Sequence, residues 1–210
     1  MAKRERLMTE KTEKRRADLR RRIVDAAERA LIAGGSQAVK ARDLAREADC
    51  ALGALYTVFD DRTAIILEVN GRTFRRLGDS VIAATSAQDP AASPVARLVT
   101  MAKAYAQFAD ANDAAWRALF EVDFASGVAM PDWYSSELAR LFALIAAPLT
   151  ALYPAKSEAE ITVLTRALFS SVHGITLMGS TAMPDWPMGQ KNAMIEALLH
   201  TLTIDGASAP

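Results

Sequence analysis

Cysteine is almost missing from this chain. Its 210 residues include one, Cys50, and only two histidines, His173 and His200. A lone thiol excludes a disulfide framework and any multi-cysteine zinc site, and two histidines leave too few ligands for a transition metal. No metal and no cofactor are therefore expected. Long apolar runs are lacking too: the longest, Leu141 to Leu152, has 12 residues and carries Pro148, against the roughly 20 that a membrane helix needs. The opening stretch MAKRERLMTEKTEKRR is charged, without the apolar centre of a secretory signal. A soluble, cytoplasmic protein with no membrane partner is the expectation. Nor is there a Gly-x-Ser-x-Gly elbow, a phosphate-binding glycine loop, a dinucleotide fingerprint or a His-Glu-x-x-His, so no enzyme class is indicated.

What is present is apolar enough, at 51%, to rule out wholesale disorder. The net charge is zero, but the zero conceals a division. Residues 1–76 hold 18 basic and 12 acidic side chains, and residues 77–210 hold 7 and 13. A basic N-terminal part suits an anionic partner. Residues 1–22 alone carry 10 basic and 4 acidic side chains, and a solubilising tail would look the same.

Helical spacing recurs along the whole sequence, and no strand pattern does. Ile23, Ala26, Ala27, Ala30 and Leu31 form an amphipathic stripe closed by Gly34-Gly35. Leu44, Ala45 and Ala48 mark a short second helix, and Leu52, Leu55 and Tyr56 a short third. A long fourth starts near Asp60-Asp61-Arg62, whose carboxylates suit a helix start, and runs to the Gln88-Asp89-Pro90 break. Ser93-Pro94 reads as a cap and first-turn proline for a fifth. A sixth is expected at Trp116–Phe124, and a seventh from Trp133 to Leu152. Ser157 and Glu160 are spaced as a capping box for an eighth, and Asp185 and Pro187 open a ninth. The fold class is all-α.

Two short helices joined by a tight turn fit a helix-turn-helix, whose second member enters the major groove. The strings Ile23-x-x-Ala26-Ala27, Gly34-Gly35, Val39-Lys40-Ala41-Arg42-Asp43-Leu44-Ala45-Arg46-Glu47-Ala48 and Gly53-Ala54-Leu55-Tyr56-Thr57-Val58-Phe59 closely resemble the N-terminal domain of the TetR/AcrR family of bacterial transcriptional regulators. The resemblance implies a helix-turn-helix domain over residues 17–77, with a linking helix continuing to about 85. A basic arm, 1–16, would precede it, and a ligand-sensing and dimerisation domain, 86–210, would follow. It also implies DNA-facing roles for Lys40, Ala41, Arg42, Leu52, Gly53, Tyr56, Thr57 and Arg62. Tyr56 can equally be core, and Arg42 can equally be a solvated surface charge.

One departure from the family pattern stands in the turn between the two short helices and one ahead of the first of them. Asp49-Cys50-Ala51 replaces glycine, an apolar residue and a hydroxyl residue, and Lys40 stands where a helix cap is common. Aspartate tolerates a left-handed backbone, so the turn can survive, whereas a missing cap costs about 1 kcal/mol. Cys50 reads as a small buried hydrophobe.

In the C-terminal half, Leu168-Phe169-Ser170-Ser171-Val172-His173-Gly174 is similar to a His-Gly helix of one family subgroup. Trp116, Phe120, Phe124, Trp133, Phe142, Phe169, His173 and Met178 can line an apolar effector pocket, and each is also ordinary core material. The resemblance implies a homodimer through the last two helices, whose apolar stripes are Ile161, Leu164, Leu168 and Ile195, Leu198, Leu199. The function implied is a repressor that binds a near-palindromic double-stranded DNA operator and is released by a small apolar or aromatic effector. A helical scaffold protein, or an enzyme with an apolar pocket and no DNA binding, is the alternative.

Overall fold

Helix ends sit where the capping residues place them. In the computed structural model, which describes residues 2–122, 124, 127, 129–181 and 186–204, Ser93 Oγ accepts from the Ala96 amide at 3.2 Å, ahead of the proline that opens α5 (Pro94–Ala111). Ser157 and Glu160 make the reciprocal box at the start of α8 (Glu158–Thr181). The Ser157 amide donates to Glu160 Oε2 at 2.8 Å, and the Glu160 amide donates back to Ser157 Oγ at 3.4 Å. The Ser157 hydroxyl also donates to Glu160 Oε2 at 2.7 Å, and that bond, with the one from the Ser157 amide, holds the Glu160 carboxyl below its ordinary pKa. Among the described residues there are nine α-helices and no strand. Asp185, expected at the start of the ninth, lies outside the described residues.

The main departure is at the front. Helix α1 spans Ala2–Gly34, so the segment read as an arm is the first half of one continuous helix. It lacks the apolar periodicity that marks a helix by pattern. It also lacks glycine and proline, is rich in strong helix formers, and has an Arg6–Glu10 pair one turn apart at 3.2 Å.

The chain divides into two packed units. The first comprises residues 1–73 and 114–129. Here a 3₁₀ turn (Ser36–Ala38) leads from α1 into α2 (Ala41–Glu47), α3 (Leu52–Tyr56) and the first part of α4 (Arg62–Ser86). The core joins Ile23, Ala27 and Leu31 of α1 to Leu44 and Ala45 of α2, Leu55 of α3 and Ile65 and Val69 of α4. Ala115 and Ala118, from α6 (Asp113–Ala118), pack into the same core, and buried Asn70 donates to the Ala118 carbonyl at 3.0 Å. Packing thus divides the chain differently from the sequence boundary near residue 86. Helix α6 also starts earlier and is shorter than the expected Trp116–Phe124 segment.

The second unit comprises residues 74–113 and 130–210. Its helices are the rest of α4, α5, α7 (Asp132–Leu152), α8 and α9 (Met188–Ile204). Lys191 on α9 is buried, and its ammonium reaches Asp110 Oδ1 on α5 at 2.6 Å. Lys103 and Glu196 pair between the same two helices. A Cβ at Gly179 would fall 2.7 Å from Lys191 Cδ, so glycine there lets the lysine stem cross α8. Helices α7 and α8 each exceed the 12-residue run read from the sequence and reach a mean hydropathy of 1.3. Length and composition alone therefore do not exclude a membrane span for them, and in this structure they pack on each other and on α5.

Candidate nucleic-acid interface

Two helices and the turn between them carry the site. The turn works as the aspartate allows: Asp49 has φ 49°, the one positive φ of a non-glycine residue among those described. Its neighbour Cys50 is a free thiol, partly buried against the core. Neither Lys40 before α2 nor Ala51 before α3 makes a side-chain cap, as their side chains dictate. Stability comes instead from α1. The Arg22 guanidinium donates to the Ala48 carbonyl at 2.7 Å, at the end of α2. Arg20 donates to the Val58 carbonyl at 3.1 Å, lies over the Phe59 ring at 4.5 Å and pairs with Glu68. Arg29 meets Glu47 at 2.6 Å. Spacing alone did not single out Arg20 or Arg22, because their partners lie more than twenty residues away.

Helix α3 buries Leu55 and turns its other side outward. Leu52, Gly53, Tyr56 and Thr57 are exposed, Tyr56 by 51%, so the core reading of Tyr56 does not hold. A Cβ at Gly53 would meet nothing within 4 Å. The fold therefore has no steric need for glycine there. Thr57 Oγ1 donates to the Ala54 carbonyl at 2.7 Å, which fixes its rotamer. Lys40 and Arg42 are exposed at the start of α2, and Ala41 is half-buried beside them. Arg62, for which the resemblance implies a DNA-facing role, is held by the protein's own backbone. Its guanidinium donates to the Val39 carbonyl at 2.9 Å and to the Ser36 carbonyl, tying the start of α4 to the approach to α2. The exposed set thus combines two cations, a phenol, a hydroxyl and an open glycine on one small module.

The residues expected to line an effector pocket fall into two groups. Trp116, Phe120 and Phe124 belong to the first unit, where Trp116 is fully buried with its ring 5.6 Å from that of Phe120. Trp133, Phe142, Phe169, His173 and Met178 belong to the second. Phe142 meets Phe169 edge to face at 5.2 Å, and Phe169 stacks on His173 at 5.7 Å. A hydrogen bond of 2.8 Å joins the Tyr105 hydroxyl and His173 Nδ1, and burial lowers the imidazole pKa. Spacing alone does not single out Tyr105, because its partner is 68 positions away. Trp133 and Met178 are exposed. A groove of about 410 Å³ in the same unit is lined by Gln88, Val95, Val99, Thr100 and His200, and shares no residue with this set.

The dimer stripes need correction. Ile161, Leu168, Ile195 and Leu199 are buried in the chain's own second unit, and Leu164 and Leu198 are half-buried. One monomer does cover them, because α5 packs against both α8 and α9. The outward side of α8 bears Val163, Ala167, Ser170, Gly174 and Met178, which recur every three or four residues. The outward side of α9 bears Gly189, Ala193 and Ala197. Cβ atoms at Gly174 and Gly189 would meet nothing within 4 Å.

A short helix-turn-helix, braced by a long first helix and followed by a helical bundle, defines the class. Residues 23–69 match the family described as bacterial regulatory proteins, tetR family, and residues 98–202 match the Tetracyclin repressor-like C-terminal domain. The chain belongs to the TetR family of bacterial transcriptional regulators and is a DNA-binding regulator by that membership. Solved structures share the fold. A protein of unknown function from Rhodococcus sp. RHA1 is 21% identical, with a TM-score of 0.70 over 86% of this chain and 93% of that one. The TetR family transcriptional regulator PfmR from Thermus thermophilus is 20% identical, with a TM-score of 0.55 over 85% and 95%. The multidrug binding protein EbrR, solved with imidazole, is 21% identical, with a TM-score of 0.62 over 87% and 93%. No functionally curated protein matches the sequence significantly.

Proposed function

We propose that this regulator is a cytoplasmic homodimeric repressor that binds a near-palindromic operator and leaves it when a small apolar or aromatic effector binds. The observation that carries the reading is the open face of α3, where Gly53 stands in free space between exposed Leu52 and Tyr56. Glycine inside a helix costs about 1 kcal/mol relative to alanine, and close approach of a DNA backbone gives that cost a use. Lys40, Arg42, Tyr56 and Thr57 supply phosphate and base-edge contacts, and Ala41 and Leu52 supply apolar ones. Arg62 acts mainly by holding α2 in place through its carbonyl contacts.

Two-fold pairing is assigned to the outward faces of α8 and α9. Val163, 67% exposed, and the small residues that follow it support close helix packing between copies. Recognition helices then sit about 34–36 Å apart, or a multiple of that. The effector site is assigned to Tyr105, Phe142, Phe169 and His173, whose rings present flat apolar faces beside one polar pair. The effector must favour a dimer spacing that no longer fits adjacent grooves, since equal affinity for both states shifts nothing. Selection of duplexes from a random pool by the purified protein tests the reading. Enrichment of a two-fold symmetric consensus is expected. A pool that stays random after repeated rounds contradicts it.

A further inference from the structure

The first half of α1 is a charged helix that extends beyond the core and runs out from the DNA-reading module. It leaves that module beside the recognition elements, because Arg22 is fixed to the Ala48 carbonyl and Arg20 to the Val58 carbonyl. At 3.6 residues per turn, Lys11, Arg15 and Arg22 fall within about 40° of one another around the axis, and Lys14 lies about 60° to one side. This is the side of α1 that Arg22 turns toward the end of α2. Lys11, Lys14 and Arg15 are exposed, with no ion pair among the described residues. Asp18 shares the face, and its charge is matched by Arg21 at 2.5 Å and Arg22 at 3.4 Å. Glu13 and Arg16 lie at least about 100° from all four, and Glu10 and Arg6 at least about 100° from Lys11, Arg15 and Arg22. Glu10 lies about 40° from Lys14, and its charge is matched by Arg6 at 3.2 Å. A mixed sequence thus becomes a helix with one basic face.

We propose that this face is a rigid phosphate-binding rail, on which Lys11, Lys14 and Arg15 contact the backbone of DNA flanking the half-site read by α3. The rail rests on the DNA-binding reading above. A rise of about 1.5 Å per residue puts Lys11 roughly 16 Å beyond Arg22 along the axis, so the charges reach past the recognition helix. Lysine and arginine on an exposed helix face bind phosphates without reading sequence. The contact therefore adds affinity and salt dependence, and leaves base preference to α2 and α3.

The test uses the full chain and duplexes enriched from a random pool, trimmed to the half-sites or carrying added flanks. Lys11→Gln/Arg15→Gln removes two charges from the rail, and Arg6→Gln/Arg16→Gln removes two from the opposite side. Affinities are read by fluorescence anisotropy between about 50 and about 200 mM salt. The rail variant is expected to bind flanked duplex roughly tenfold more weakly, with a log–log salt slope shallower by about 2–4 for a dimer. The opposite-side variant keeps the wild-type slope, and trimmed duplex shows no difference between the two. Lys11→Arg/Lys14→Arg, which preserves charge and helix propensity, also keeps the slope. Equal flattening in both glutamine variants would mean that net charge alone matters, and overturns the rail. No flattening in either overturns it as well. Loss of binding to anionic phospholipid vesicles in the rail variant, with the DNA slope intact, would assign the face to membranes instead. If the wild-type chain enriches no duplex at all, the DNA-binding reading itself has failed, an outcome distinct from the others.

Discussion

The Arg22 guanidinium on α1 donates to the carbonyl of Ala48, the residue that closes α2, across 2.7 Å. That bond fixes the turn between α2 and α3 to the longest helix in the protein. The turn needs such support, since its residues bring neither a glycine nor a hydroxyl cap. Replacing Arg22 by methionine keeps much of the stem and removes the donor. Hydrogen bonds from charged groups contribute about 1.5–3 kcal/mol, less at a partly exposed site. A loss of about 1–2 kcal/mol in urea unfolding is expected, with operator affinity falling as the turn loosens.

Gly53→Ala separates folding from function. Alanine is favoured in a helix by about 0.5–1 kcal/mol, and its Cβ meets nothing in the free protein. The urea midpoint should rise. Operator affinity should fall at least tenfold, about 1.4 kcal/mol, because the methyl group occupies the space left for DNA. A variant that gains stability and binds as well as wild type would remove the reason given for this glycine.

The missing caps make a second stability test. Ala51→Ser restores a side-chain acceptor at the start of α3 and should add about 0.5–1 kcal/mol. Asp49→Gly relieves the left-handed backbone at φ 49° and should add a similar amount. Asp49→Val should instead cost about 1–2 kcal/mol, since a β-branched side chain resists that conformation. Urea titrations of the three variants, with the slope of unfolding unchanged, check the set.

His173 gives a pH dependence with a fixed sign. Burial lowers its pKa in the folded chain below the ordinary value of 6.5. The unfolded chain therefore takes up the proton first as the pH falls. Stability from the neutral imidazole is fully present above the ordinary value and is lost as pH drops through it toward the folded pKa. The urea midpoint of the wild type should fall between about pH 7.5 and about pH 5.5. His173→Gln should show a flatter profile over the same window, and equal profiles would mean that another group carries the effect.

Much of this architecture was legible in the sequence, because apolar spacing and capping residues are local. Ser93-Pro94 and Ser157-x-x-Glu160 placed two helix starts that the structure retains. The helix-turn-helix was legible for the same reason, since Leu44, Ala45, Leu55 and Phe59 all point into one core. Partnership across the chain was not legible. The sequence stripes of α8 and α9 looked like a dimer face, but a helix has two sides, and only packing tells which one α5 covers. The charge of Arg62, which suggests a DNA-facing role, is visible in the sequence, whereas its carbonyl partners at Ser36 and Val39 are not. The first half of α1 is not legible as part of that helix, because helix-forming composition without apolar period leaves no stripe to see.

The most direct test of the central claim is the affinity of two single variants, Tyr56→Ala and Arg42→Ala, for a duplex enriched by the wild-type protein. Both side chains are exposed, so unfolding free energies from urea titration should stay within about 0.5 kcal/mol of wild type. Operator affinity should fall at least tenfold for each. Across a mismatch series, Arg42→Ala should flatten discrimination at one base-pair position by about 1–3 kcal/mol. Wild-type affinity in both variants, with midpoints unchanged, would contradict the assignment of this face to DNA.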